Sequence, residues 1–303
     1  MTQTYYSNGK LLITGEYVVL NGATALALPT KFGQSLLIEP SEVNGIKWSS
    51  FDADGSCWFE TTISFDEVKN KLKTTDDAIK NTLIEILHEA FLLNPSYLLD
   101  ADGYSISTHL TFPKKWGLGT SSTLINNIAN WLAVDAYTLL KNSFGGSGYD
   151  LACAQNDSAI LYQLINEKPN VQLIPFHPIF SNAIYFVYLN KKQNSKTAIA
   201  NYFNRLDNME AGVEKITKYT QQALLSNSLE EFSAVLLHHE IEMSTILEQQ
   251  TIQEALFSDF DGVIKSLGAW GGDFVMVLSK TNPSSYFIEK GYHVILTYEE
   301  MIL

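Results

Sequence analysis

The stretch PKKWGLGTSST, residues 113–123, decides how this sequence is interpreted. It leads directly into a segment whose apolar residues recur at helical intervals, so its end predicts a helix N-terminus. Gly117 and Gly119 allow backbone conformations and close approaches that a side chain would block. A helix N-terminus presents unpaired amides and a partial positive charge, which together bind phosphate. Taken alone, such a stretch is more often a simple turn and helix cap.

Two further glycine-rich turns each end in an aspartate. GGSGYD, residues 145–150, precedes the apolar run LACA, and GAWGGD, residues 268–273, precedes the apolar run FVMVL. Gly9-Lys10 adds a glycine and a cation near the start of the sequence. The patterns GxxxxGK[ST] and GxGxxG do not occur, so the P-loop and dinucleotide-binding folds are not supported. Together the turns predict a phosphate site of a different type.

These segments resemble, in the same order, the motifs of the GHMP kinases, a family that includes galactokinase and the homoserine, mevalonate and phosphomevalonate kinases. GKLLITGEYVVLNGATALALPT, residues 9–30, resembles the first motif, and PKKWGLGTSST resembles the second, which wraps the ATP phosphates. SGYDLA, residues 147–152, resembles the S-G-x-D segment of the mevalonate branch. GAWGGDFVMVL, residues 268–278, resembles the third motif.

The resemblance implies an α+β, two-domain GHMP kinase fold. Residues 1–175 would form an ATP-binding domain like ribosomal protein S5 domain 2, and residues 176–303 a ferredoxin-like domain. Strands mixed with helices, without regular βαβ alternation, agree with this class. The Pro- and Asn-containing segment 168–182 is the predicted link between the domains.

The resemblance also implies roles for individual residues, with ATP and Mg²⁺ as cofactors and a small molecule as the phosphoryl acceptor. Asp150 would accept the proton of the acceptor hydroxyl, Lys10 would stabilise transition-state charge, and Ser121 would contact the metal. This agrees with phosphoryl transfer as a reaction of positioning and charge stabilisation, although Asp150 also fits a helix cap after glycines. The implied ATP-binding residues are Lys115, Gly117, Leu118, Gly119, Thr120, Ser121 and Ser122. The implied substrate-binding residues are Glu16, Tyr17, Ser147, Gly148, Thr197, Gly268, Gly271 and Gly272.

The sequence departs from the family pattern at several positions. Leu139 stands where mevalonate kinases place a magnesium-binding glutamate, and Asp135 is the nearest upstream carboxylate but is out of register. Tyr17 replaces the histidine of the first motif, and Trp270 replaces a glycine of the third. A catalytically silent binding protein with this fold is therefore an alternative. The retention of Lys10 together with a proton acceptor argues against it.

Composition excludes several other classes. The 303 residues favour two domains, and a hydrophobic share of 46% with 17% charged residues indicates a folded protein. The net charge of −13 argues against a nucleic-acid partner. No apolar run is long enough for a membrane span or a signal peptide. Cys57 and Cys153 cannot build a disulfide framework, so a reducing cytoplasm is expected. A homodimer is left open.

Periodicity gives a coarse order of elements. Residues 10–28 predict a hairpin with Asn21-Gly22 as its turn. In the helix predicted over 76–93, Ile79 is placed on the buried face. The other predicted helices cover 122–140, 198–204, 209–226, 229–247 and 252–267. The other predicted strands cover 34–39, 45–50, 57–65, 104–110, 184–189, 274–278 and 292–297.

Three other candidates stay open between a functional and a structural interpretation. His238, His239, Glu240 and Glu242 contain metal-ligand types, but an exposed helix surface is the favoured interpretation. Lys265 precedes the third glycine turn and could reach a substrate anion. A lysine cluster with Thr197 fits either a substrate-closing segment or a solvated loop; it comprises Lys191, Lys192 and Lys196.

The acceptor is predicted from two conflicting signals. Gly15-Glu16-Tyr17 and Gly271-Gly272-Asp273 favour phosphomevalonate. Diphosphomevalonate decarboxylase is a more distant third candidate for the activity. The charge inventory favours mevalonate, because Arg205 is the only arginine and bidentate arginine is the usual partner of a phosphorylated acceptor. Mevalonate, with one carboxylate, is the acceptor we predict.

Overall fold

The chain forms two compact units, and the first boundary between them along the sequence lies within the first strand. The computed structural model describes residues 2–73, 76–191, 202, 209–268 and 270–303. The first unit comprises Met1–Gly9, Phe32–Lys114 and Leu118–Gln155. The second unit comprises Lys10–Lys31, Lys115–Gly117 and Asn156–Leu303. Each unit combines strands with helices, which confirms the α+β class. A boundary between residues 175 and 176 remains a prediction.

The first unit is built on a sheet in the order β4-β3-β5-β2. Neighbouring strands are antiparallel except β3 and β5, which run parallel. The second half of β2 belongs to this unit, and β1 pairs with β2. The strands are β1 (Gln3–Thr14), β2 (Ala25–Pro40), β3 (Gly45–Phe51), β4 (Cys57–Ile63) and β5 (Gly103–Leu110).

Helices of the first unit pack around one apolar core. Trp48 of β3, Leu87 and Ile128 belong to this core and are buried. A capping box formed by Ser64 and Glu67 starts the first helix, which stabilises the helix N-terminus. The helices are α1 (Phe65–Lys69), α2 (Ala78–Leu93), α3 (Ser96–Leu99), α4 (Thr120–Leu132), α5 (Ala136–Ser143) and α6 (Tyr149–Gln155).

The second unit contains a four-stranded antiparallel sheet in the order β11-β8-β10-β9. Helices α7 (Met209–Leu225), α8 (Leu229–Leu247) and α9 (Ile252–Leu256) lie between β8 and β9 in the chain, and α10 (Ser284–Glu289) lies between β10 and β11. This is the ferredoxin-like arrangement, a split βαβ motif used twice, and it confirms the prediction. The strands are β8 (Ile184–Tyr188), β9 (Val263–Ser266), β10 (Phe274–Leu278) and β11 (Ile295–Thr297).

The remaining elements of the second unit extend the sheet that contains β2 and pack against the four-stranded sheet. The first half of β2 pairs with β6, and β6 pairs with β7. Phe257 and Phe287 pack with Val187 under the four-stranded sheet. The elements are β6 (Ile160–Ile165), β7 (Lys168–Leu173), α7 (Met209–Leu225), α8 (Leu229–Leu247), α9 (Ile252–Leu256), α10 (Ser284–Glu289) and α11 (Tyr298–Met301).

Three predicted elements are wrong in type or extent. The run after Tyr17 is a 3₁₀ helix, Val18–Asn21, which Gly22 ends in a left-handed conformation, so Asn21-Gly22 is not the tight turn of a hairpin. The helix predicted over 122–140 is two helices, because Ala133 turns left-handed and Asp135 caps the next one. The helix predicted over 252–267 ends at Leu256, and its second half is β9, which pairs with β10.

Two smaller corrections concern burial and linkage. Ile79 is exposed, since it lies in the first turn of α2 beyond the edge of the core. Residues 168–173 of the predicted linker form β7 against β6 and are therefore part of a sheet. The helix predicted over 198–204 lies outside the described residues except for Tyr202.

Candidate functional site

The glycine-rich turn of the second motif ends at the N-terminus of α4. Gly119 is the N-cap and has a φ of 99°, a left-handed conformation that glycine adopts without strain. Within the described chain no side chain caps α4, so the amides of its first turn are available to an anion. The Ser122 hydroxyl donates to the Gly119 carbonyl at 2.8 Å, and the Thr123 hydroxyl oxygen lies 3.1 Å from the same carbonyl. Thr120 and Ser121 are partly exposed at the helix start.

A buried, uncharged network anchors α4 from behind. We name it the α4 polar cluster; all of its members are at most 1% exposed. The Asn127 side chain accepts from the Ser7 hydroxyl at 2.7 Å and donates to the Gln34 carbonyl at 2.9 Å. The Thr123 hydroxyl donates to Gln34 Oε1 at 2.7 Å. The cluster consists of Ser7, Gln34, Thr123, Asn126 and Asn127.

The same cluster connects α4 to the helix that carries Asp150. Asn126 Oδ1 accepts from Gln155 Nε2 at 3.1 Å, and its Nδ2 donates to the Ala154 carbonyl at 3.5 Å. Asp150 lies in the first turn of α6, is partly exposed, and accepts from the Leu151 N–H at 3.1 Å. The helix whose N-terminus could bind phosphate, α4, and the helix that carries the predicted proton acceptor, α6, are therefore connected by direct hydrogen bonds.

The turn that leads into α6 contains two predicted substrate residues. Gly148 is buried, has a φ of 89°, and its carbonyl accepts from the Ala152 N–H at 3.0 Å. Ser147 is partly exposed beside it. Gly148 thus sets the direction in which α6 begins and presents Asp150.

Lys10 belongs to the second unit, where it contacts the first half of the second motif. Its ammonium donates to the Gly117 carbonyl at 3.1 Å. A Cβ on Gly117 would lie 2.4 Å from the carboxyl carbon of Asp273, so only glycine fits there. Gly117 also has a φ of 72°. A cation and a carboxylate of the second unit therefore meet at this glycine.

Lys115 projects outward from the same segment and is exposed. Its carbonyl accepts from the Tyr188 hydroxyl at 3.0 Å. The neighbouring Trp116 packs edge-on against Phe274, with ring centroids 5.4 Å apart. These contacts fix the backbone of residues 115–117 on β8 and β10, while the Lys115 side chain lies at the surface.

The third glycine turn joins β9 to β10 and so lies between two strands. Gly268 and Gly271 have left-handed φ values of 65° and 79°, and Gly272 is buried. Trp270 is buried, and its backbone N–H donates to the Tyr17 hydroxyl at 2.9 Å. Burial raises the pKa of Tyr17 to about 12, so this phenol is neutral and accepts the hydrogen bond.

Glu16 lies inside the second unit and not at a surface. We name the group of Glu16, His239, Glu240 and Lys265 the buried ionic cluster; each member has 0% of its surface exposed. The Lys265 ammonium pairs with Glu16 Oε1 and lies 3.7 Å from Glu240 Oε2. His239 Nε2 lies 3.5 Å from Glu16 Oε2. Substrate binding by Glu16 remains a prediction, and the structure gives its carboxylate a partner within the chain.

Burial sets the protonation of this cluster. Loss of hydration raises the pKa of Glu16 to about 7, against the opposing attraction of Lys265. Burial also raises the pKa of Glu240. The pKa of His239 is held well below its usual range by burial and by Lys265. His239 is therefore neutral, and its Nε2 accepts from the Gly15 N–H at 3.0 Å.

Sequence reasoning missed both buried clusters. His239 and Glu240 were predicted on an exposed helix surface, which is wrong because they face Gly15 and β9. Lys265 is paired within the cluster and is not available to a substrate anion. A sequence signal did exist: Lys265 follows two apolar residues in the segment VIKS, and a lysine buried there without a partner would be costly.

Each unit brings together a different subset of the predicted residues. Thr197, Lys192 and Lys196 lie outside the described residues. The first unit holds Leu118, Gly119, Thr120, Ser121, Ser122, Ser147, Gly148 and Asp150. The second unit holds Lys10, Glu16, Tyr17, Lys115, Gly117, Gly268, Gly271 and Gly272.

The described residues contain no group of three or more His, Cys, Asp or Glu side chains arranged to hold a metal ion. Mg²⁺ commonly keeps several waters and takes few protein ligands beside substrate phosphates, so the Ser121 hydroxyl at the start of α4 fits that mode. Within the same described ranges, no helix has the length and apolar character to cross a membrane. Both cysteines are free, with Cys57 exposed and Cys153 buried.

Comparison of the structure with solved proteins shows the fold. A mevalonate kinase from Methanococcus jannaschii has a TM-score of 0.68 at 15% identity, covering 96% of this chain and 94% of that one. A Streptococcus pneumoniae phosphomevalonate kinase in complex with phosphomevalonate and AMPPNP has a TM-score of 0.68 at 17% identity, covering 95% of each chain. A Lactococcus lactis galactokinase complexed with galactose has a TM-score of 0.63 at 14% identity, with coverages of 95% and 88%.

The sequence itself matches no family model and no curated protein. The structural likeness extends over nearly the whole chain in proteins that phosphorylate different acceptors by name. It therefore confirms the two-domain α+β GHMP kinase fold predicted from the motifs, at a level of identity that speaks for the fold alone.

Proposed function

We propose that this chain is an ATP-dependent kinase that transfers the γ-phosphoryl group of ATP to a small hydroxyl-bearing acceptor, with mevalonate as the first choice. One observation carries the proposal: the uncapped N-terminus of α4 behind Gly119 is bonded through Asn126 to α6, which carries Asp150. A phosphate site and a carboxylate held in one rigid piece are what positioning for phosphoryl transfer requires.

The roles follow from the chemistry of the groups. Amides of the first turn of α4 and the Thr120 hydroxyl would bind the ATP phosphates, and Ser121 would hold Mg²⁺, which neutralises phosphate charge when bound. Asp150 would accept the proton of the acceptor hydroxyl late in the reaction, since a carboxylate is too weak a base to remove it earlier. Lys10 would stabilise charge on the transferring group.

The remaining ATP and substrate assignments are part of the same proposal. The outward Lys115 ammonium is suited to a phosphate. Gly268 and Gly271 of the third turn are partly exposed and would offer backbone groups to the acceptor. The proposed acceptor-binding residues are Tyr17, Ser147, Gly148, Gly268, Gly271 and Gly272.

The choice of mevalonate rests on the cations that the structure leaves for an acceptor. A phosphorylated acceptor and ATP together bring about six negative charges, which call for several cations. Lys265 was one candidate, but it is buried and paired with Glu16. Its removal from the inventory favours an acceptor with a single carboxylate. Phosphomevalonate remains the alternative, because Gly15-Glu16-Tyr17 of the first motif and Gly271-Gly272-Asp273 of the third favour it.

An ADP-release screen with the purified chain tests the proposal. Mevalonate, phosphomevalonate, homoserine and galactose are offered separately with ATP and Mg²⁺. We expect acceptor-dependent ADP release with mevalonate, and a kcat/KM at least about tenfold above that for phosphomevalonate, or ~1.4 kcal/mol. A reversed ratio would show that the motif letters identify the acceptor. ATP binding without ADP release on any acceptor would identify a silent binding protein.

A further inference from the structure

The turn directly after β1 is held by three consecutive residues. The Gly15 N–H donates to His239 Nε2 at 3.0 Å, and the Glu16 carboxylate pairs with Lys265. The Tyr17 hydroxyl accepts a backbone N–H from the loop that follows β9, at 2.9 Å. Tyr17 has a positive φ of 57°, which a non-glycine residue adopts only where its surroundings fix it. The turn is thus set by polar contacts from α8, β9 and that loop.

Lys265 supplies the positive charge that balances the carboxylates in these contacts. Lys265 donates to the Ser266 carbonyl at 2.8 Å and faces two carboxylates, Glu16 and Glu240. Glu240 Oε1 also accepts from the Ser266 N–H and hydroxyl, at 3.0 and 2.8 Å. His239 contributes no charge. Without the Lys265 ammonium, both carboxylates would be buried with no cation, and a buried ion whose partner is removed is strongly unfavourable.

The two chain segments fixed by the cluster converge on the second motif. The turn continues β1, whose Lys10 donates to the Gly117 carbonyl at 3.1 Å. The loop after β9 ends at Asp273, whose carboxylate occupies the space beside the Gly117 Cα. A displacement of either segment would therefore move a charged group that contacts Gly117.

We propose that Lys265 is a positioning residue: the buried ionic cluster holds the Gly15–Tyr17 turn and the loop after β9, and through them Lys10 and Asp273, in the arrangement that turnover requires. The inference rests on the kinase function proposed above. Lys265 acts through other residues and touches no reactant, because none of its surface is exposed.

The first test compares the single variant Lys265→Met with the double variant Lys265→Met/Glu16→Gln. Methionine retains most of the lysine stem, so packing is kept while the charge is lost. We expect kcat for the single variant to fall at least about tenfold, with acceptor KM changed less. The double variant removes the orphaned Glu16 carboxylate and should recover a substantial part of kcat. Lys280→Met is the matched control, because Lys280 is exposed and pairs with Glu230 at the surface.

The pH profile separates a charge effect from a packing effect. In Lys265→Met, ionisation of Glu16 as the pH rises leaves an unpaired buried charge, so kcat should fall more steeply with rising pH than in the wild type. The double variant lacks that ionisation and should show a flatter profile. The groups that face Glu16 are Lys265, Glu240, His239 and Tyr17.

An activity-independent measurement keeps this inference distinct from the kinase proposal. The amide proton of Gly15 reports its bond to His239 in ¹H–¹⁵N spectra, whether or not the chain turns over any acceptor. We expect this resonance to shift in Lys265→Met and to return toward its wild-type position in the double variant. Should Lys265→Met fail to fold, Glu16→Gln alone carries the test, with the same amide and kcat as readouts.

The outcomes decide the matter either way. Loss of kcat, a moved Gly15 amide and recovery in the double variant support the positioning role. A Lys265→Met variant with kcat within about twofold of wild type, or an unmoved Gly15 amide, overturns it. A double variant no better than the single one also overturns it, because the defect would then come from packing. Wild-type protein without turnover defeats the kinase proposal, while the amide shifts still decide whether the cluster holds the turn.

Discussion

The two buried polar clusters differ in kind. The α4 polar cluster consists of neutral amides and hydroxyls, and none of its side-chain atoms is among those left without a partner in the described residues. The buried ionic cluster has three buried side-chain atoms without a hydrogen-bond partner, namely Glu16 Oε2, His239 Nδ1 and Glu240 Oε2. The neutral cluster connects the helix N-terminus to the Asp150 helix. The ionic cluster holds the turn beyond Lys10.

The two clusters stabilise their surroundings in different ways. A fully satisfied neutral network gives a rigid arrangement whose free energy does not depend on pH. An ionic cluster with more carboxylates than cations is costly to bury and depends on its protonation state. We therefore expect the stability of the α4 polar cluster to be insensitive to pH near neutrality, and that of the buried ionic cluster to respond to it.

The largest expected effect comes from the residue that the neutral cluster positions. Asp150→Asn should lower turnover by about 10²- to 10⁴-fold, because the amide cannot accept the hydroxyl proton. The dissociation constant for ATP, measured by titration, should stay within a few-fold of wild type. Asp135→Asn is the control, since asparagine caps a helix as well as aspartate does and Asp135 caps α5. Near-normal turnover in Asp150→Asn would sink the assignment.

The next prediction concerns how the buried ionic cluster makes the free energy of unfolding depend on pH. Because the folded-state pKa of Glu16 is raised from 4.5 to about 7, the unfolded chain releases this proton first as the pH rises. The Glu16 contribution is favourable at low pH and is lost between pH 4.5 and about 7, by up to about 3 kcal/mol. Glu16→Gln should abolish this decline.

Urea unfolding of the wild type and of Glu16→Gln across that pH range measures the effect. The difference between the two free energies of unfolding should fall as the pH rises. Glu214→Gln, at an exposed position of α7, should give a curve parallel to wild type. Parallel curves for Glu16→Gln as well would mean that Glu16 does not carry a raised pKa.

A smaller loss of stability is expected when the α4 polar cluster is disrupted. Asn127→Leu leaves the Ser7 hydroxyl and the Gln34 carbonyl without their partner, which should lower the free energy of unfolding by about 2 kcal/mol. The loss should be the same at pH 6 and pH 8, in contrast to the ionic cluster. Asn130→Leu, on the exposed side of α4, should change it by about 0.5 kcal/mol or less. A pH-dependent loss at Asn127 would contradict the comparison.

The smallest effect concerns ATP binding at the helix start. Gly119→Val should weaken ATP at least about tenfold, or ~1.4 kcal/mol, because a branched side chain is strained at a φ of 99° and fills the space beside the helix amides. Gly291→Val places the same strain at a φ of 88° with no atom near its Cβ. That control should lose stability but keep ATP affinity. An unchanged affinity in folded Gly119→Val would mean that the nucleotide binds elsewhere.

The elements that the sequence predicted are those with a local signal. Gly119 and the start of α4 follow from turn chemistry and helical periodicity, and the strand FVMVL follows from its uniform apolarity. Periodicity counts only apolar positions, so it did not reveal that Asn126 and Asn127 are buried. The break at Ala133 depends on Asp135 capping a new helix, which a continuous apolar pattern concealed.

Long-range pairing explains the remaining errors. His239 and Glu240 appear polar and exposed in sequence, and only their partners in a distant turn and in β9 explain their burial. The segment 263–266 was assigned to a helix because its pairing with β10 is not encoded locally. Lys265 shows the limit most clearly, since its partner Glu16 lies 249 positions away in the chain.

³¹P NMR of a reaction with ATP, Mg²⁺ and mevalonate measures whether this chain transfers a phosphoryl group to a hydroxyl, as we propose. We expect wild-type protein to produce ADP and a new phosphomonoester in equal amounts, and Asp150→Asn to produce neither at a comparable rate. ADP with inorganic phosphate in place of the phosphomonoester, or no conversion with any hydroxyl acceptor while ATP binds, would contradict it.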